Sequence, residues 1–219
     1  MKFALITEGA SEHRIIKHII SKYFRDQETD INQIQPRIID GKQEASGGWN
    51  EVLKYCQREE LKDILIENDY LIIQIDSDQS QTKPFNVSHT KENGKVKTSE
   101  ELHNDIINKL SELLLPEIKQ THGDKIFFAI CIHTIECWLL PLYFTNNHKT
   151  VTSNCLSRLN SELAKKNIPV IPQAKNSPNG VRAYDILLKN FRRKEEINNA
   201  AKHNIGFKKF ITSISVIND

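Results

Sequence analysis

The 219-residue chain is 38% hydrophobic and 26% charged, ordinary globular values, and no apolar run approaches the roughly 20 residues that cross a bilayer. Its net charge of +2 conceals an asymmetry: residues 164–210 hold eleven Lys or Arg against three Asp or Glu, whereas residues 1–163 hold 19 against 24. This length favours one domain over two, and the basic last quarter suits either a phosphate-facing surface or a solvated helical face.

In chain order, "KFALIT" reads as a buried first strand. In "SEHRIIKHIISKYF", Ile15, Ile16, Ile19, Ile20, Tyr23 and Phe24 recur at helical spacing, with Ser11 as the expected cap. "QPRIIDG" is expected as the second strand, and Trp49 to about Leu65 as one helix. "YLIIQI" is apolar enough to be a central strand. The polar stretch from Gln79 to Lys97, with its Asn93-Gly94 turn signal, reads as a long loop or small hairpin. Thr98 and Glu101 form a capping-box pattern that opens a helix through about Leu115, ended by Pro116. "KIFFAICIH" is a fourth strand, and a weaker helical pattern fills the chain beyond residue 150.

This alternation predicts an α/β fold with a Rossmann-like parallel sheet flanked by helices. The expected core spans residues 1–150. A basic, mainly helical part, residues 151–219, packs on the same domain. The opening "MKFALITEG" reads as a strand rather than a leader segment, so a cytoplasmic protein with no membrane contact is expected. Cys56, Cys131, Cys137 and Cys155 are widely spaced and contain no CxxC pair, which predicts reduced, buried thiols and no zinc ribbon.

Ligands of an open parallel sheet gather at the carboxyl ends of its strands. There the sequence places Glu8 and Gly9 after the first strand, Asp76 and Asp78 after the third, and His133 and Glu136 after the fourth. Four converging carboxylates repel one another unless a counter-charge joins them, and hard oxygen donors suit Mg²⁺ or Mn²⁺. Residues i and i+2 on a strand point to the same face, so the two carboxylates of Asp-Ser-Asp are expected to share one metal or bridge two. Gly9 is expected to permit a sharp turn and leave room for a phosphate.

These residues resemble the TOPRIM domains of topoisomerases, primases and OLD-type nucleases, whose signature is a Glu after the first strand and Asp-x-Asp after a later one. Glu8, Asp76 and Asp78 match it. "EGASE", "GGW", "DSD", "IHTIECWLL" and "HNIGFKKF" look like the small TOPRIM-like proteins of the DUF4276 and RloB type, associated with bacterial anti-phage defence. Their Glu-x-Trp element falls on Glu136 and Trp138. The long interval from Glu8 to Asp76, and the insert after Asp78, depart from a minimal TOPRIM.

The resemblance implies a Mg²⁺- or Mn²⁺-dependent endonuclease acting on DNA or RNA, with a separately encoded ATPase of the AAA or ABC type as a possible partner. Glu8, Asp76 and Asp78 are then expected to hold metal, with Glu136 completing a second site or orienting water. Glu12 is a further metal candidate or a helix-dipole acid. Lys208 is the candidate for neutralising the transition state. His133, Lys83, Lys95, Lys97 and Lys209 are candidates for nucleic-acid contact. A rival expectation is a catalytically silent TOPRIM-like module that binds nucleic acid or regulates an ATPase. A homodimer suits the cutting of both strands of a duplex. No Walker A pattern is present; "DGKQEASGG" has its glycine and lysine in the wrong order.

Overall fold

Strands and helices alternate from the first residues of the computed structural model, which describes residues 1–39, 42–43, 47–175 and 177–218. The order is β1 (Lys2–Ile6), α1 (Ala10–Tyr23), β2 (Asp30–Gln35), and two-residue strands β3 (Ile38–Ile39) and β4 (Lys42–Gln43) that pair antiparallel. Then come α2 (Trp49–Cys56), α3 (Leu61–Glu67), β5 (Tyr70–Asp76), α4 (Ser99–Leu113), α5 (Pro116–His122) and β6 (Ile126–Cys131). Short 3₁₀ turns lead into α6 (Cys155–Lys165), α7 (Pro178–Leu188), α8 (Lys194–Ala201) and α9 (Ile205–Ser215).

The main sheet has the order β2-β1-β5-β6, and every pairing in it is parallel. From β1 the chain crosses outward to β2, then returns past β1 to lay down β5 on its other side. The direction of winding reverses between β1 and β5, and the carboxyl ends of those two strands border the resulting crevice.

Successive strand side chains point to opposite faces, and this sorts the core into two layers. Phe3, Leu5, Ile72, Phe127 and Ala129 join one apolar cluster with α1 and the helices from α6 onward. Ala4, Ile6, Leu71, Ile73, Ile75 and Ile130 join the other, with α2 to α5. The C-terminal helices thus share an apolar cluster with β1 and α1. Trp138 is fully buried and stacks on Phe207 with ring centroids 4.5 Å apart and planes 8° from parallel. Contact between α9 and β6 is close enough that a Cβ on Gly206 would collide with the carbonyl oxygen of Ile130.

Several elements differ from the sequence reading. The second strand of the main sheet is "DINQIQ", not "QPRIIDG". Only the edge position next to β1 is left for it, where a polar strand is tolerated, and Pro36 lacks the N–H that would continue the ladder. Asp40 and Gly41 of the expected strand lie outside the described residues. The helix expected over 49–65 is two helices, because residues 57–60 are all polar and supply no apolar side chain to hold that turn against the sheet. Pro116 begins α5, whose first turn does not need its missing N–H.

The capping box at Thr98 and Glu101 forms in full. In the long loop before it, Phe85 and Val87 are buried in the core, Phe85 stacks on Trp49, and a bridge between Thr90 and Val96 closes a small hairpin. Cys137 and Cys155 form a disulfide, so only Cys56 and Cys131 are free, both buried. The bridged pair, 18 residues apart in sequence, is brought together by the packing of the Ile135–Trp138 turn on α6, which spacing alone does not report. Among the described residues, no helix is long and apolar enough to cross a membrane.

Gly206→Ala is expected to cost about 1–3 kcal/mol, because the added methyl meets backbone rather than a movable side chain. Gly123→Ala, whose methyl meets nothing within 4 Å, should be neutral or slightly stabilising. Urea midpoints of the two variants provide the comparison.

Candidate active site

Glu8 is held at three points. Its N–H donates to the Gln74 side-chain oxygen at 3.1 Å, its carbonyl accepts from Gly48 at 2.6 Å, and its Oε1 accepts from the Asp76 backbone N–H at 2.7 Å. Gln74 is fully buried in β5, and its amide also donates to Asp76 Oδ1 at 2.9 Å. One glutamine therefore joins the two strand-end acids. A lone polar residue inside the otherwise apolar "YLIIQI" was the available signal for it.

Glu12 and Glu136 lie beside this pair. Glu12 accepts from Ser11 Oγ at 2.9 Å, so Ser11 orients an acid instead of capping the helix, whose N-cap is Gly9. Gly9 is extended and makes no unusual turn. A Cβ there would collide with Glu12 Oε2, so glycine makes room for a carboxylate. Glu136 is fully buried, and its Oε1 accepts from Tyr184 Oη at 2.7 Å and from Lys175 Nζ at 2.5 Å. Lys175 Nζ also lies 3.8 Å from Glu12 Oε1.

The electrostatics follow from this crowding. Burial pushes Glu8 up to about 8 from its ordinary 4.5, and the Glu12 and Asp78 charges add to the effect against the pull of the Asp76 N–H. Burial likewise raises Asp76 well above the usual range, reinforced by Glu8, Glu12 and Glu136, and raises Glu12 despite Lys175. Glu136 behaves differently: burial opposes its charge, but Lys175 and Tyr184 hold its carboxyl below the ordinary value. Burial disfavours the Lys175 ammonium too, yet Glu136 and Glu12 carry it above its usual range. Burial and Glu136 raise Tyr184, which keeps its proton and acts as donor.

The candidates taken from sequence divide accordingly. Glu8, Glu12, Asp76 and Glu136 act on one another at the strand ends. Asp78 does not share a strand face with Asp76: β5 ends at Asp76, the chain turns, and Asp78 is exposed, with its N–H donating to the His133 carbonyl. His133 adopts a left-handed conformation with φ 69°, donates its backbone N–H to Ser77 Oγ at 2.7 Å, and leaves its buried Nδ1 without a hydrogen-bond partner.

Lys208 is exposed on α9, and the cation that meets the acids is Lys175 instead. Lys209 bonds Asn104 and Glu100 on α4. Lys97 lines a cleft of about 260 Å³ with Ser77, His89 and His133, though its ammonium pairs with Asp105 at 2.7 Å. Lys83 and Lys95 are exposed on the loop before α4.

Lys175 and Tyr184 escaped the sequence reading. Lys175 sits in the irregular, proline-bounded "IPVIPQAKNSPNG", and Tyr184 lies within a helical pattern. One local signal exists, since Gly180 admits no Cβ against the Lys175 carbonyl.

Hard oxygen donors dominate the cluster, and the buried Glu136 Oε2 has no hydrogen-bond partner. Among the described residues, no three His, Cys, Asp or Glu side chains are grouped closely enough to hold a metal by themselves. Mg²⁺ commonly takes only one or two protein carboxylates and completes its shell with water and substrate phosphate, so this donor set fits that ion.

Two outcomes are expected. Glu8 binds a proton more tightly folded than unfolded, so in EDTA the melting temperature relative to that of Glu8→Gln should fall as pH rises from about 4.5 to about 8 and then level off. Buried His13 and His103, lowered to about 4, contribute alike to both proteins. A difference that rises across that window contradicts the assignment. Lys175→Met strands Glu136 as a buried charge without its cation and should cost about 3–5 kcal/mol in urea unfolding near neutral pH.

Compared with protein-family models, curated proteins and solved structures, the chain matches none.

Proposed function

We propose that the chain is a TOPRIM-like, divalent-metal-dependent nuclease that hydrolyses phosphodiester bonds at the carboxyl ends of β1, β5 and β6. One observation carries this reading: Glu8, Glu12 and Asp76 are all pushed toward the protonated form, while Lys175, the one lysine paired with the cluster among the described residues, is committed chiefly to Glu136. Such a cluster holds more carboxylate than its resident cation neutralises, which favours uptake of a further cation.

Glu8 and Asp76, joined by Gln74, would hold the ion, with Glu12 beside them. When bound, Mg²⁺ or Mn²⁺ supplies an acidified water and neutralises phosphate charge. Glu12, raised by burial and outside the pair that would hold the ion, would accept the proton of the attacking water, whose oxygen bonds to phosphorus as the bond to the leaving sugar oxygen breaks. That oxygen then takes up a proton. Glu136 is fixed by Tyr184 and Lys175 and orients water from one side. Lys175 sets a positive charge where the phosphorane becomes more negative. Activity in phage defence beside a separate ATPase belongs to the same proposal and rests on the motif resemblance.

A silent binding module is the second reading, favoured by the Lys175 contact that already neutralises Glu136. Supercoiled plasmid, linear duplex, single-stranded DNA and tRNA, each incubated with EDTA, Mg²⁺ or Mn²⁺, separate the two. The nuclease reading expects cleavage only with metal, reduced at least about 100-fold in a folded Glu8→Gln, Asp76→Asn variant. Cleavage that persists in EDTA or in that variant would overturn it. Absence of cleavage on every substrate would favour the silent module.

A further inference from the structure

Helix α1 runs away from the acid cluster with a basic face. Arg14, Lys17, His18 and Lys22 recur at three- and four-residue intervals and so lie along one side of the helix. They line a groove of about 470 Å³ whose opposite wall includes Asp185 of α7. His13, the residue after Glu12, lines the same groove, and its buried Nδ1 has no hydrogen-bond partner.

The charges along this groove are arranged for a ligand. Asp185 holds Arg14 at 2.7 Å and fixes the guanidinium at the wall. Among the described residues, Lys17 and Lys22 have no carboxylate partner, although both sit in the groove. Three cations therefore face one carboxylate. Glu12 of the cluster and His13 of the groove are consecutive residues, which puts one end of the groove beside the acids.

Length selects among phosphate ligands. Eight residues separate Arg14 from Lys22, a helical rise of about 12 Å. One nucleic-acid strand carries a phosphate about every 3.4 Å of axis, so roughly four successive phosphates match this stretch. A lone phosphate does not span the distance from Arg14 to Lys22.

We propose that the α1 groove holds consecutive phosphates of a nucleic-acid strand and leads that strand to the acid cluster, an inference that rests on reading the cluster as a phosphodiester-cleaving site. The same chemistry is offered by a free nucleoside triphosphate, and the test distinguishes the two sources.

Fluorescence anisotropy of a labelled single-stranded oligonucleotide of about 12 nucleotides, in EDTA, measures binding without cleavage. A Lys17→Gln, Lys22→Gln variant should bind at least about tenfold more weakly at low salt, with the slope of log affinity against log salt reduced by about 1.4. Each single variant should lose about half of that slope. Lys62→Gln, Lys119→Gln removes the same charge from exposed positions on α3 and α5 and should bind like the parent. Melting curves confirm that each variant is folded.

Unchanged binding by the groove variant, an equal loss in the control, or no binding by the parent overturns the groove. Unlabelled ATP that competes as strongly as unlabelled oligonucleotide overturns the strand and makes the ligand a nucleotide. A parent that binds through the groove in EDTA but cuts nothing with metal retires the nuclease reading and leaves the groove in place. A parent that cuts while the groove variant binds unchanged does the reverse.

Discussion

Burying carboxylates at the end of a sheet is costly unless each is given a partner, and the site is organised around meeting that cost with few groups. Glu136 receives an ammonium and a phenol. Glu8 and Asp76 receive each other's neighbourhood through Gln74 and one backbone N–H, which fixes their positions without neutralising their charge. Glu12 receives a serine hydroxyl and the far side of Lys175. Positions are thus over-determined while charge is under-compensated, and a place built for cation or proton exchange has this combination.

The scaffold explains why such a site can exist in a small protein. The reversal of winding between β1 and β5 puts two strand ends side by side. Buried Phe3, Leu5 and Ile72 on one face, and Ala4, Ile6 and Ile73 on the other, hold the two strands rigidly beneath the acids. Gly48 then ties the start of α2 back to Glu8 through its N–H, so a residue from the opposite helical layer also sets the acid's place.

The C-terminal third contributes more than surface charge. Its helices bury Tyr184, Leu187, Phe207 and Phe210 in the same cluster as Ile15 and Ile19 of α1, and from that position it supplies the lysine and the tyrosine of the site. Its many other cations lie on solvated faces or pair with nearby acids, as Lys209 does with Glu100. The acid cluster and the basic face of α1 therefore meet where elements from both ends of the chain pack together. Arg14 and Asp185 are joined across that boundary although 171 residues separate them.

The capping box at Thr98 and Glu101 determined α4. Apolar patterning alone determined β1, α1, β5 and β6, because a strand buried on both faces and a helix buried on one leave patterns that no neighbour is needed to read. It also placed Glu8, Asp76 and Glu136 at strand ends, since the strands end where the apolar runs do. It missed β2, whose edge position removes the demand for apolar residues, and placed Asp78 on a strand that ends two residues earlier. The partners of the acids were decided by tertiary structure. Lys175 reaches Glu136 across 39 residues of chain, Tyr184 across 48, and Cys137 meets Cys155 only because a 3₁₀ turn packs on α6. Local spacing carries no record of such contacts, which depend on how whole layers pack, and in this protein those contacts set the charge of the site.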